Sequence, residues 1–183
     1  MTKARDLANG GFGLVLVKPS TVVNGTDNGK GTVSFTGQST VSLNGVFNST
    51  YTNYKVFFDG EASGQVSLRI RFRASGADAT GANYNVQEIR AQAASIVTER
   101  YVNSTVGEFA NTFTSKMAVE GIIFNPFGAN STVYMSSVVN QNEGARAYQY
   151  SGGHPLATSY DGFTLFTSSG TATGTISVYG YNK

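Results

Sequence analysis

Residues 66–73 alternate strictly between apolar and polar side chains, in the order Val, Ser, Leu, Arg, Ile, Arg, Phe, Arg. In a β-strand, a period of two places the four apolar side chains on one face and Ser67 with the three arginines on the other. A helix would distribute both kinds around its circumference, so the pattern predicts a half-buried strand. The apolar face of such a strand needs a second layer to cover it, and this requirement constrains the fold strongly.

Similar short runs recur along the chain, separated by Gly, Asn and Pro turn signals about every eight to twelve residues. They predict an all-β fold of about ten antiparallel strands, arranged as a β-sandwich or jelly roll. Charged residues make up only 13% of the 183 residues and 22 residues are glycine, a composition that disfavours surface helices. Residues 84–101 fit helical and strand spacing alike, and the composition favours a strand there.

The end of the chain predicts a β-hairpin. Residues 160–167 and 174–181 are two runs rich in β-branched and aromatic side chains, and the loop between them, 168–173, contains only small residues. Alternation within each run places two apolar residues on its inner face. The residues that we expect in the core are Phe163, Leu165, Ile176 and Val178.

Composition and motifs argue against several classes of function. The net charge of +2 is too small to indicate nucleic-acid binding, and no cysteine is present for a disulfide or a thiolate metal site. His154 is the single histidine, so one chain cannot form a multi-histidine metal site. The carboxylates are scattered except Asp59 and Glu61, which flank Gly60 in a predicted solvated turn. We therefore predict no enzymatic activity, no metal site and no cofactor.

The first eight residues carry charges but no apolar segment of signal-peptide length, and no apolar run reaches the length of a membrane span. These features predict synthesis in a cytoplasm without export and no membrane insertion. The length suits one domain. We expect residues 1–11 to form an N-terminal attachment arm and residues 12–183 to form a β-sandwich head domain.

One candidate binding group is the arginine face of the strand at 66–73. Its guanidinium groups are about 6.6 Å apart, which is twice the rise per residue of a strand. They either pair with acidic neighbours on a solvated face, bind an anion or sugar acid, or form a polar face between subunits. The group consists of Arg69, Arg71 and Arg73.

The other candidate group lies in residues 148–160, which combine tyrosines and a histidine with small residues and predict a loop. Tyrosine offers a large contact area with a polar tip at low entropic cost, which suits recognition of a glycan or a protein. Alternatively, the tyrosines pack at strand ends and the histidine is an ordinary loop residue. The group consists of Tyr148, Tyr150, His154 and Tyr160.

Six stretches carry a resemblance to a known class of proteins: 43–47 (LNGVF), 52–56 (TNYKV), 68–76 (LRIRFRASG), 82–84 (ANY), 161–165 (DGFTL) and 174–181 (GTISVYGY). Together they resemble virion structural proteins of tailed bacteriophages, particularly the C-terminal heads of tail-fibre, minor tail and receptor-binding proteins. The resemblance extends over residues 12–183 and includes no catalytic signature.

The resemblance implies a non-enzymatic protein of the virion that forms a homotrimer. It also implies that residues 1–11 attach to other virion proteins, and that loops at one end of the sandwich contact a host surface glycan or protein. An alternative is a decoration or cement protein that stabilises a capsid or tail. A depolymerase is disfavoured because the carboxylates do not form a convergent pair.

Overall fold

The computed structural model describes residues 13–92, 94–112, 116–140 and 146–181, so the predicted arm at 1–11 lies outside it. The regular structure of these described residues consists of sixteen β-strands, four of them only two or three residues long. No helix in this part of the chain has the length and apolarity needed to cross a membrane. The strands are β1 Leu14–Leu16, β2 Thr21–Val23, β3 Thr26–Asp27, β4 Thr32–Gln38, β5 Thr40–Asn44, β6 Asn53–Ala62, β7 Val66–Ala74, β8 Ala77–Asp78, β9 Tyr84–Gln92, β10 Ser95–Ser104, β11 Gly107–Thr112, β12 Met117–Phe124, β13 Thr132–Asn140, β14 Arg146–His154, β15 Gly162–Thr167 and β16 Ala172–Tyr181.

The strands form two antiparallel sheets that pack face to face. The large sheet has ten strands in the order β10-β9-β14-β13-β12-β6-β16-β4-β3, with β1 paired to β16. The small sheet has six strands in the order β11-β7-β15-β5-β2, with β8 paired to β7. The all-β antiparallel sandwich expected from the sequence is confirmed, although the number of strands exceeds the expected ten.

The core lies between the two sheets and is built by alternation. In β7, the inward residues Leu68, Ile70 and Phe72 are buried, and the serine and arginines between them face outward. The four core residues expected near the chain end are also buried, so alternation identified their inner faces correctly. Residues 84–92 and 95–101 are strand, as the composition favoured, and belong to the paired strands β9 and β10.

The predicted hairpin at the chain end is wrong. β15 pairs with β5 and β7 in the small sheet, whereas β16 pairs with β4, β6 and β1 in the large sheet. Residues 168–171 therefore carry the chain from one sheet to the other. In a sandwich, two successive strands can present the same alternation while facing each other across the core, so alternation alone cannot distinguish this arrangement from a hairpin.

The predicted turn at Asp59 and Gly60 is also wrong, because β6 continues through it. Gly60 lies opposite Gly174 in the register of β6 and β16. A Cβ atom on Gly60 would lie 2.3 Å from the carbonyl oxygen of Thr173 and 2.9 Å from the Cα of Gly174. The glycine thus permits a close approach of two strands, and Glu61 lies on a strand as well.

Candidate functional site

The first part of the predicted loop at 148–160 belongs to strand β14, so the placement of Tyr148, Tyr150 and His154 in a loop is wrong, whereas residues 155–160 do form one. The two tyrosine side chains point into the sandwich and are 4% and 1% exposed. The misleading signal was the glycine pair at 152–153. Gly152 faces inward, where a Cβ atom would lie 2.4 Å from the ring of Tyr134, so this glycine serves close packing inside a strand.

Close to the two tyrosines, the inner face of β9 and β10 carries a partly buried charged network that the sequence did not reveal. Arg90 donates to Glu88 Oε1 at 3.2 Å and to Glu99 Oε1 at 3.0 Å, and the Tyr101 hydroxyl donates to Glu99 Oε2 at 2.5 Å. Burial raises the pKa of Glu88, whereas the Tyr101 hydrogen bond lowers the pKa of Glu99. One arginine thus pairs with two carboxylates, and Arg90 Nε is buried without a hydrogen-bond partner among the described residues.

All three candidate arginines are engaged with neighbouring residues of the same chain. Arg69 Nε pairs with Glu108 Oε1 at 2.8 Å, and burial raises the pKa of this glutamate. Arg71 Nε donates to the carbonyl oxygen of Thr105 at 3.2 Å, and its guanidinium carbon lies 4.8 Å from the ring centroid of Phe166. The geometry favours the alternative of an internally paired face over an anion site.

Arg73 is the most heavily engaged of the three and connects the arginine face to one end of the sandwich. It donates to Asn44 Oδ1 and Thr164 Oγ1, each at 2.9 Å, and pairs with Asp78 of β8. Thr164 Oγ1 donates to the same oxygen of Asp78 at 2.7 Å. The carboxylate is therefore held in place and its charge is balanced.

A concavity of about 360 Å³, which we name the end pocket, opens at this end of the sandwich. It lies between β8 with the following loop, residues 79–83, and the loop that follows β14, residues 155–161. The second loop is anchored by hydrogen bonds from Tyr160 N to Pro126 O at 2.8 Å and from Asp161 N to Arg73 O at 2.9 Å. The lining residues are Ala74, Ala77, Asp78, Ala79, Gly81, Asn83, His154, Leu156, Thr158 and Tyr160.

His154 lines the end pocket with one nitrogen satisfied and one not. Its Nδ1 lies 2.9 Å from the Tyr160 hydroxyl, and its ring centroid lies 4.6 Å from that of Tyr84. Burial lowers the pKa of His154, so the ring is neutral near pH 7. Nε2 is buried and has no hydrogen-bond partner among the described residues, and the same holds for Thr132 Oγ1, whose residue is the register partner of His154.

An unpaired buried polar atom costs about 1–3 kcal/mol, so a partner for His154 Nε2 is favoured. Asp78 adds a second polar group, because Arg73 and Thr164 both engage Oδ1 and leave Oδ2 without a partner in the described part of the chain. The amide of Asn83 is a third polar group. It uses the space beside Gly81, because a Cβ atom on Gly81 would lie 2.6 Å from the Asn83 amide nitrogen. The pocket thus combines hydrogen-bonding groups with an alanine and leucine wall.

The structure brings together only part of what the sequence predicted. His154 and Tyr160 meet at the end pocket, Arg73 supports it from behind, and Tyr148 and Tyr150 lie elsewhere in the interior. The sequence did not identify Asp78 and Asn83 as ligand-binding residues, because they lie in a stretch of small residues with no recognisable spacing. Within the described residues, no group of three or more His, Asp or Glu side chains could hold a metal ion.

No family model matches this chain. A search of curated proteins finds no match either. Among solved structures, the chain is similar to the SPRY domain of human HERC1, with 11% identity, a TM-score of 0.28, and coverage of 92% of this chain and 98% of that one. It is also similar to lectin II from Ulex europaeus, with 8% identity, a TM-score of 0.26, and coverage of 89% and 95%. At these TM-scores the likeness carries no argument about function, and the phage resemblance stays a prediction.

Proposed function

We propose that this chain is a non-enzymatic receptor-binding head of a bacteriophage virion, and that its end pocket binds a neutral sugar of the host surface. The observation that carries the proposal is the end pocket itself, where His154 leaves a buried nitrogen unpaired beside Asp78 and Asn83. The sequence resemblance supplies the virion context. The pocket lies among loops at one end of the sandwich, where the resemblance implies host contact.

The chemistry of the end pocket suits a neutral polyhydroxylated ligand. The Asp78 carboxylate is balanced by Arg73, so a charged ligand would find no opposite charge to pair with. A sugar hydroxyl both donates and accepts, and can therefore pair with the Asp78 carboxylate and with the Asn83 amide beside the buried ring of His154. The alanine and Leu156 side chains can cover the apolar face of a sugar ring.

The same contacts argue for binding without catalysis. A general acid or base needs a proton that it can exchange with substrate. Here the carboxylate of Asp78 is engaged by Arg73 and Thr164, and the neutral His154 is held by Tyr160. The groups are therefore arranged to hold a ligand.

We propose further that the protein forms a homotrimer, attaches to other virion proteins through residues 1–11, and is made in the host cytoplasm. A second candidate, a capsid or tail decoration protein, is favoured by the outer face of the large sheet. There Ile96 and Val139 are 70% and 62% exposed, and the register aligns them with the half-buried Ala91 and the exposed Ala147 on the two intervening strands. An exposed apolar face of this kind marks a protein contact.

Screening the purified full chain on an array of bacterial surface glycans tests the sugar site. We expect binding to at least one neutral glycan, and loss of that binding in Ala77→Trp, because residue 77 is exposed and a large side chain there obstructs the pocket. The matched control is Thr175→Trp on the outer face of the large sheet, which should bind like the unmodified chain. Equal binding by both variants would contradict the proposed site.

Phage particles that lack the protein separate the two candidate functions. A receptor-binding head predicts that such particles fail to adsorb to host cells while remaining intact. A decoration protein predicts normal adsorption and particles that lose stability on heating. The second result would contradict the receptor-binding role.

A further inference from the structure

The outer face of the large sheet carries a second concavity, of about 530 Å³, where β9, β10, β13 and β14 run side by side. We name it the trough. It shares no lining residue with the end pocket. Its lining residues are Asn85, Val86, Gln87, Arg100, Val133, Tyr134, Ser151, Gly152 and Gly153.

The trough exists because one outward position of β14 has no side chain. Gly153 lies in register between Asn85 of β9 and Val133 of β13. A Cβ atom on Gly153 would make only ordinary contacts, at 3.5 Å from Val133 Cγ1 and 3.6 Å from the Thr132 carbonyl oxygen. Packing therefore does not require glycine here, and the missing side chain leaves backbone as the floor of the trough.

Two amide side chains on β9 are oriented towards opposite hydrogen-bonding roles by the neighbouring strand β10. Asn85 Oδ1 accepts from the backbone N–H of Asn103 at 3.2 Å, which leaves its NH₂ group as the remaining donor. Gln87 Nε2 donates to the carbonyl oxygen of Glu99 at 2.9 Å, which leaves its Oε1 as an acceptor. Asn103 has a φ of 51° at a bulge in β10, an irregularity that aims its N–H at Asn85.

Arg100 provides the charge of the trough. It is exposed, and it makes no ion pair or hydrogen bond with any described residue. The acidic residue beside it, Glu99, points to the opposite face, where Arg90 and Tyr101 hold it. The guanidinium is thus a free positive charge next to a fixed NH₂ donor, a fixed carbonyl acceptor and the Ser151 hydroxyl.

We propose that the trough binds an acidic sugar residue, with its carboxylate on Arg100 and the Asn85 NH₂ group and its hydroxyls on Gln87 and Ser151. A guanidinium matches a carboxylate with two parallel hydrogen bonds, and a charge-assisted pair of this kind is stronger than a neutral one. The serine and the amide acceptor suit hydroxyl groups, which an isolated carboxylate lacks. This site is additional to the end pocket and does not depend on it.

Titration of the full chain with D-glucuronate, followed in ¹H–¹⁵N correlation spectra, tests the proposal. We expect saturable shifts of the backbone amides of the trough, and weaker shifts or none with D-glucose and with acetate. Arg100→Gln should weaken glucuronate binding by roughly 10- to 100-fold, the equivalent of one charged hydrogen-bonded pair. Gly153→Val should abolish it, because the valine fills the floor of the trough at a strand position where a branched side chain is tolerated.

Each variant has a matched control. Lys30→Gln removes the same charge from an exposed loop, and Ser137→Val adds bulk to the same sheet face outside the trough. Both should bind glucuronate like the unmodified chain. The proposal is overturned if glucose or acetate binds as tightly as glucuronate, if Arg100→Gln behaves like Lys30→Gln, or if none of the three ligands shifts the trough amides.

Discussion

His154 is the only histidine of the chain, and its environment makes it sensitive to acid. Burial lowers its pKa below the ordinary value, so the folded protein favours the neutral ring more than the unfolded chain does. Its contribution to stability is complete above the unfolded pKa, near 6.5, and is lost as the pH falls below it. Glu88 and Glu108 have the opposite effect on stability as the pH falls, because burial raises the pKa values of their carboxyl groups.

We therefore predict that acidification from pH 7.5 to 5.5 destabilises the unmodified protein more than the variant His154→Gln. The difference should not exceed about 1.4 kcal/mol per pH unit for a single titrating group. Urea denaturation at both pH values measures it. Both proteins retain the two glutamates, so the double difference isolates the histidine, and an equal loss of stability in both would refute the assignment.

The adjacent glycines of β14 should respond in opposite ways to a single added methyl group. Gly152→Ala places a Cβ about 2.4 Å from the Tyr134 ring and should destabilise the fold by about 1–3 kcal/mol through overpacking. Gly153→Ala adds the same group on the outer face, where the nearest atom is 3.5 Å away, and should change stability by no more than about 0.5 kcal/mol. Denaturation midpoints compare the two, and equal effects would contradict the assignment of faces.

At the level of strands, the alternation within β16 predicts where a truncation is costly. Ile176 is fully buried between the sheets, and Ile176→Ala should cost about 2–5 kcal/mol. Thr175→Ala, on the exposed face of the same strand, should stay within about 0.5 kcal/mol. Equilibrium unfolding in urea gives both values, and a small effect at position 176 would mean that the strand does not face the core.

The sequence was informative about strands and faces but not about which strands are neighbours. The period of two in residues 66–73 sufficed to identify β7 and its inner face, because that period is a property of the strand alone. The pairing of β15 and β16 depends on distant partners such as β5 and β6, which no local pattern encodes. The turns predicted at glycines were wrong for a similar reason, since Gly60 and Gly152 permit close packing within strands and do not mark turns.

The residues of the candidate site were likewise predictable from the sequence only in part. Its histidine and Tyr160 stood out in the sequence because histidine and clustered tyrosines are informative residue types. Asp78 and Asn83 did not stand out, because their role depends on Arg73 holding one carboxylate oxygen and on Gly81 leaving space. Such a site is assembled by tertiary contacts between loops that are far apart in sequence, so its composition becomes visible only once the sheets are formed.

At the level of the whole molecule, we predict a homotrimer. A chain with few charges and an exposed apolar sheet face can bury about 2,000 Å² or more between subunits, as obligate assemblies do. Light scattering of the purified chain at micromolar concentration should give three times the mass of one chain, resistant to mild denaturant. The mass of a single chain would contradict the prediction.

The ring resonances of His154 provide the most direct test of the end pocket as a sugar site. Because the chain has one histidine, its imidazole nitrogens give unique signals in a long-range ¹H–¹⁵N correlation spectrum. Titration with neutral hexoses and N-acetylhexosamines should shift the Nε2 signal saturably for at least one sugar, and the shift should be absent in Ala77→Trp. A Nε2 signal that no sugar moves, or that moves equally in that variant, would contradict the account.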